Sequence, residues 1–235
     1  MAEAPRREAE RLAEAYGRRA SATGPVPSRL ASPGDLFMLQ EREWHVARVL
    51  RRVYPGGLAT LNILDFGCGA GWDLLELLSM GSQSRKVVGV DLLGDRLHRA
   101  RQMLPSAALA RADGAALPFP DATFDLVLQY TVFSSILDQG LRRNVATELG
   151  RVLRPRGSVL WYDIRVDNPR NPDIRRVTRS ELDGLFPGWR VDARSITLAP
   201  PLARRLARVN WLAAAIGATL PFLRSHLLAR IRKPE

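Results

Sequence analysis

Several residue types that would mark other protein classes are scarce here. There is one cysteine, Cys68, so no internal disulfide can form, which suits a reducing compartment. The three histidines, His45, His98 and His226, are scattered without ligand spacing. With a single thiol beside them they make no zinc pattern, and no metal is expected. The first thirty residues, opening MAEAPRREAERLAEAYGRR, lack the apolar core of a secretory signal, and the expectation is a cytoplasmic protein. No internal repeat is visible. Lysine is nearly absent, with Lys86 and Lys233 standing against 33 arginines.

What is present describes one ordinary domain. A chain of 235 residues buries roughly 70% of the surface it would expose unfolded, so it needs no staple to fold. The net charge of +11 is unevenly placed, because the tail from Leu202 to Glu235 holds seven basic residues and only one acid. The body is therefore mildly basic. Aromatics are not interleaved with the basic residues as a stacking surface for single strands requires, which disfavours nucleic acid as a partner.

The order of elements is legible from periodicity. A charged helix ends near Tyr16 or Arg19, and a breaker-rich link runs from Ser21 to Asp35. A second helix starts at Ser32, Pro33 and Asp35, which supply an N-cap, a first-turn proline and an acid, and it stops at Tyr54-Pro55-Gly56-Gly57. Strands are predicted at 61–66, 86–92, 109–112, 124–130, 158–164 and 189–198, with helices near Trp72 to Met80, Asp95 to Met103 and Leu141 to Leu153. Strands separated by such helices imply crossovers and a mainly parallel sheet covered on both faces.

The stretch LDFGCGAGWD, Leu64 to Asp73, falls at the turn from the first strand into its helix. Glycines there let a backbone approach a ligand closely, at the place where open α/β sheets bind ligands. The spacing Gly67-x-Gly69-x-Gly71 is one residue shorter than the GxGxxG of dinucleotide-binding enzymes. Asp91 closes the second strand, where a carboxylate can accept hydrogen bonds from both ribose hydroxyls. Asp113 follows the third strand in RADGAALPFPDATFDLV.

LDFGCGAGWDL, VVGVDLL and ADGAALPFPDATFDLVL, in this order and spacing, resemble the core of class I S-adenosylmethionine-dependent methyltransferases over about Leu61 to Ile164. SPGDLFMLQEREW and the YDIRVDNPRNP phrase are similar to small bacterial methyltransferases of biosynthetic clusters. The resemblance implies a Rossmann-like, doubly wound α/β fold with a seven-stranded sheet whose last strand is antiparallel, and S-adenosylmethionine as cofactor. It implies that Gly67, Cys68, Gly69 and Gly71 line the methionine portion and ribose, that Asp65 lies near the amino group, and that Asp91 binds the ribose hydroxyls. Leu92 would pack on the adenine, Asp113 and Gly114 would recognise its edge, and Gln129 would lie near the methionine end. The expected organisation is an N-terminal helical cap over 1–57, a cofactor-binding core over 58–200 and a basic amphipathic helical extension over 201–235.

For the chemistry, the candidates lie at the carboxyl ends of the fourth and fifth strands. Asp163 is the candidate base or orienting group, and Tyr130, Ser134, Ser135, Arg165 and Asn168 are candidate acceptor contacts. The fourth strand runs on as QYTVF, without the Asn/Asp-Pro-Pro-Tyr/Phe pattern of enzymes that methylate exocyclic base amines. A small-molecule acceptor with a hydroxyl group is therefore favoured. The apolar interval from Val209 to Leu223 is too short to span a bilayer and suits either a lid or a helix lying on an anionic membrane surface. The sequence leaves the oligomeric state open.

Overall fold

The computed structural model describes residue 8 and residues 10–18 and 32–235. Much of the expected link after Tyr16, residues 19–31, lies outside them. Helix α1 (residues 10–18) precedes α2 (Pro33–Val53), whose N-cap Ser32 accepts from Asp35 N as the sequence predicts. The chain then alternates β1 (Ile63–Phe66), α3 (Trp72–Ser79), β2 (Val87–Asp91), α4 (Gly94–Met103), β3 (Ala108–Arg111), β4 (Phe124–Tyr130), α5 (Gln139–Val152) and β5 (Leu153–Ile164). It closes with α6 (Arg179–Leu185), β6 (Arg190–Leu198), α7 (Pro200–Val209), α8 (Trp211–Thr219) and β7 (Arg224–Arg232).

The seven strands form one sheet in the order β3-β2-β1-β4-β5-β7-β6. All pairings are parallel except those of β7, which is antiparallel to both β5 and β6. Alternation along each strand builds two cores. Leu64, Val127, Val159 and Trp161 face α5 and α6, while Ile63, Leu126, Leu128, Leu160 and Tyr162 face α2 and α3. Strands buried on both faces read as continuous apolar runs, which is why ILDF and FDLVLQY were legible.

The C-terminal region requires a correction. Residues 200–219 are helical as expected, but residues 224–232, read as part of a helical extension, are the strand β7 inserted between β5 and β6. RSHLLARIR alternates poorly because the middle of β7 is packed on both faces: Leu227, Ala229 and Ile231 join one core and Leu228 the other. Helix α6 was not anticipated. It is seven residues long, too short for helical periodicity to show, and is marked only by its cap, Thr178, which accepts from Glu181 N.

Helix α2 lies along α7 and β6. Glu41 accepts from Thr197 N at 2.9 Å and Leu198 N at 3.0 Å, fastening α2 to the end of β6. Gly34 makes the α2–α7 contact possible, since a Cβ there would meet the Arg204 Cα at 2.3 Å.

Candidate functional site

The glycine turn is held by the neighbouring strand. Gly67 N and Cys68 N both donate to Val90 O, at 2.8 and 2.9 Å, so the end of β2 fixes the turn after β1. Gly67, Gly69 and Gly71 all have positive φ, at 77°, 55° and 89°, and Gly71 is the left-handed N-cap of α3. Side chains at three such positions in five residues would strain the backbone.

Asp91 ends β2 and uses both oxygens. Oδ2 accepts from Gly69 N at 2.9 Å and Oδ1 from Leu93 N at 2.8 Å, and Arg96 stands 3.7 Å from Oδ2. Asp113 Oδ1 accepts from Ala115 N at 2.9 Å, which shapes the loop after β3. Gly114 packs so closely on Phe66 that a Cβ would meet its ring at 2.6 Å.

These groups surround a cavity of 110 Å³ at the carboxyl ends of β1, β2 and β4. Of the residues selected from sequence, Gly67, Asp91, Leu92, Asp113, Gly114, Tyr130 and Ser135 line it. Asp65, Cys68, Gly69, Gly71 and Gln129 stand behind this wall, in the turn and in the strands that carry it. Ser134 is buried, Arg165 donates from Nη1 to Arg224 O, and Asn168 is exposed, so none of these three reaches the cavity.

Asp163 is also outside the cavity wall. It is fully buried, and its Oδ2 accepts from Gln129 Nε2 at 3.2 Å and Ser134 N at 3.1 Å, while Oδ1 accepts from Ile164 N at 2.9 Å. Burial pushes its carboxyl up to about 6, against the pull of the Ser134 hydrogen bonds. Gln129 Oε1 in turn accepts from Val132 N at 3.2 Å. The Asp163–Gln129 pair thus fixes the segment 131–135 from below. Thr131, at the start of that segment, has φ 54°, an outlier for a β-branched residue, and it lines the cavity.

Among the cavity groups that escaped the sequence reading are three side chains that close over it. Leu12 and Tyr16 of α1 cover the cavity, and the Arg96 guanidinium stacks 4.5 Å from the Tyr16 ring. Helix α1 is tied down by Glu8, which accepts from Leu137 N at 2.7 Å and pairs with Arg11. No spacing rule connects residues 8–16 with residues 91–137, so the sequence offered no signal for this contact.

Beneath α2 lies a dense polar cluster. Arg42 reaches Asp73 at 2.9 Å and Glu76 at 2.6 Å, with its guanidinium 4.9 Å from the Tyr130 ring centroid. Burial raises Glu76 to about 7 and holds Asp65 well above the usual carboxylate range, with Asp73 and Asp91 adding to the rise. Asp65 Oδ2 and the Tyr130 hydroxyl are buried with no hydrogen-bond partner among the described residues. Burial also raises the Cys68 thiol, so that residue stays protonated and apolar.

Comparison with known proteins fits this geometry. Residues 63–157 match the methyltransferase domain family. A Mycobacterium tuberculosis H37Rv protein named as a probable S-adenosylmethionine-dependent methyltransferase is 28% identical over 196 residues, 74% of this chain and 67% of that one. A malonyl-[acyl-carrier protein] O-methyltransferase of Erwinia billingiae is 33% identical over 107 residues, 46% of this chain and 40% of its own. The crystal structure of an S-adenosylmethionine-dependent methyltransferase from Mesorhizobium loti superposes with a TM-score of 0.61 at 19% identity, covering 83% of this chain and all of that one. The chain spans 37 to 67% of the length of the first curated relatives it matches. The match over residues 63–157, the motifs and the sheet order agree with the core of class I S-adenosylmethionine-dependent methyltransferases, and the relatives' names indicate S-adenosylmethionine as the cofactor. The residues present suit that cofactor: a bare glycine turn, Asp91 facing the cavity, and the unpartnered buried Asp65 oxygen for a cationic group.

Proposed function

We propose that the protein transfers a methyl group from S-adenosylmethionine to a small-molecule acceptor, a hydroxyl of a sugar or specialised metabolite. The observation that carries this reading is the cavity itself, walled by Asp91 and Asp113 with Leu12 and Tyr16 of α1 over it. A recess of 110 Å³ suits a small acceptor better than a polymer.

The cofactor, when bound, supplies a methyl group already activated on a sulfonium, so alignment of the acceptor's lone pair provides much of the rate. The chain's own residues then have three tasks. Asp91 and Asp113 anchor the nucleoside part, Leu92 packs on the base, and Asp65 faces the ammonium end. Helix α1 excludes water by covering the site with Leu12 and Tyr16. Tyr130 at the end of β4, with Thr131 and Ser135 of the segment after it, lines the wall that the acceptor meets.

In this reading Asp163 is a positioning residue, not the base, because its oxygens hold Gln129 and Ser134 and it does not line the cavity. Its test is Asp163→Asn. Turnover should fall with an unchanged pH profile, whereas a base would take the pH dependence with it.

A nucleic-acid acceptor is favoured by one observation, a 620 Å³ groove lined by Arg48, Arg52, Arg179, Arg190, Arg194, Arg230 and Arg232. The groove lies where β6 begins and β7 ends, the opposite end of the sheet from the cavity. A polymer seated there would bring no acceptor atom to the cofactor.

The deciding experiment measures S-adenosylhomocysteine release with a panel of hydroxylated acceptors beside RNA and DNA. Release with a hydroxylated small molecule alone supports the proposal. Cofactor binding without turnover on any acceptor would instead select a binding protein built on the same fold.

A further inference from the structure

Among the described residues, six of the ten exposed large hydrophobic ones fall within residues 209–222. Val209 is 87% exposed, Phe222 77%, Leu212 66% and Ile216 58%, with Trp211 and Leu220 also exposed. A patch of this kind on a folded domain marks an interaction site. It is also organised. Leu212 and Ile216 lie four residues apart on α8 and so share one face, and Leu220 caps its carboxyl end. The opposite face of α8 is settled, because Ala214 is buried in a core with Phe37, Leu198 and Ala203, and the Trp211 ring meets Phe37 at 5.2 Å. The face of Leu212 and Ile216 is therefore the one α8 leaves uncovered.

The rim of the patch is cationic. Arg204, Arg205 and Arg208 are exposed on α7, and no acidic residue occurs between Ala193 and Pro234. Arg204 pairs with Asp35 at 3.0 Å, while Arg205 and Arg208 have no partner among the described residues. Topology fixes where this surface points. Because β7 is antiparallel to both β5 and β6, those two strands run the same way, and α7 leaves from the carboxyl end of β6. The patch and the cavity thus share one end of the sheet.

We infer that the α7–α8 hairpin docks the protein on an anionic lipid surface, with Leu212, Ile216 and Phe222 entering the acyl boundary and Arg205 and Arg208 meeting lipid phosphates. Apolar residues flanked by arginines suit such an interface. No helix among the described residues is long and apolar enough to cross a membrane, so the hairpin lies on the surface. A second copy fits worse. A two-fold contact would turn the same patch on itself and set uncompensated arginines against each other. Docking in this manner brings the cavity end of the sheet to the bilayer.

The test uses the full chain and sedimentation with vesicles, which needs no turnover and so is independent of the proposed reaction. Vesicles of phosphatidylglycerol and phosphatidylcholine in equal parts should pull the protein down at low salt, and phosphatidylcholine alone should not. Leu212→Ser and Phe222→Ser should each weaken partition about ten- to a hundredfold. Arg205→Ser with Arg208→Ser should weaken it roughly thirtyfold. Both sets of residues are exposed, so the variants are expected to keep the wild-type melting temperature, and circular dichroism checks this. Brominated lipids should quench a fluorescence component that Trp211→Phe removes. The inference is overturned by absence of sedimentation with anionic vesicles, by equal binding of all variants, or by a dimer that Phe222→Ser dissociates and vesicles do not.

Discussion

The two halves of the sheet are held by different means. In the half formed by β3, β2, β1 and β4, the site groups are fixed by short-range contacts: Asp91 to Gly69 across 22 residues and to Leu93 across two, and Asp113 to Ala115 across two. In the half formed by β5, β7 and β6, the fastening contacts span most of the chain, with Glu41 reaching Thr197 and Leu198 across 156 and 157 residues. The first half carries the cavity, with a wall encoded locally. The second is a platform assembled from both ends of the chain, carrying α2 above it and the exposed hairpin beside it. Ligand affinity and fold stability should therefore separate under mutation.

The largest expected effect lies in the platform. Glu41→Ala removes the acceptor for two backbone N–H groups and should lower stability by about 2–4 kcal/mol. That corresponds to a melting temperature roughly 4–16 °C lower in differential scanning calorimetry. Affinity for S-adenosylhomocysteine in the surviving folded protein should change less than threefold. A large loss of affinity would erase the contrast between the halves.

The binding half is tested by Asp91→Ala. Loss of hydrogen bonds to a charged group at about 1.5–3 kcal/mol each should weaken S-adenosylhomocysteine binding about ten- to a hundredfold in titration calorimetry. An unchanged dissociation constant would remove Asp91 from the site.

Tyr130→Phe sharpens the comparison, because Tyr130 lies on the cavity wall and its buried hydroxyl has no partner. Removing an unsatisfied buried hydroxyl should leave the ligand-free protein as stable or up to about 1 kcal/mol more stable. Turnover or ligand affinity should drop in the same variant. A drop in ligand-free stability would show that the hydroxyl serves the fold.

The remaining effect is a pH slope in the platform, small near neutral pH. His226 stacks on Tyr162 at 4.7 Å, and burial, aided by Arg42, lowers it to about 4. The unfolded residue protonates near 6.5 while the folded one stays neutral, so this group's contribution to stability is lost as pH falls from about 6.5 to about 4. His226→Phe keeps the stack and removes the titration. Its melting temperature should therefore fall less steeply than that of the wild type across this interval, and parallel curves would refute the assignment.

Much of the binding half was legible because its signals are local. A glycine turn, a strand-closing acid and a loop acid each announce themselves within a few residues, and Gly67, Asp91, Leu92, Asp113 and Gly114 do converge on one cavity. Around the fifth strand the reading weakened. Asp163, Arg165 and Asn168 follow one another along the chain, yet one is buried beneath the site, one is tied to Arg224 and one is exposed. Alternation along a strand told which residues share a face, but not which of them another segment would cover.

By itself the sequence determined the parallel core, the succession of its first six strands along the chain and the glycine turn after β1, because hydrophobic period, capping and backbone freedom are set by near neighbours. Tertiary structure alone decided that the basic tail supplies the strand between β5 and β6, that α1 lies over the cavity, and that α8 leaves an apolar face outward. The physical reason is burial. A residue's environment depends on surfaces brought together across the whole chain, and a strand packed on both sides carries no alternation by which to announce itself.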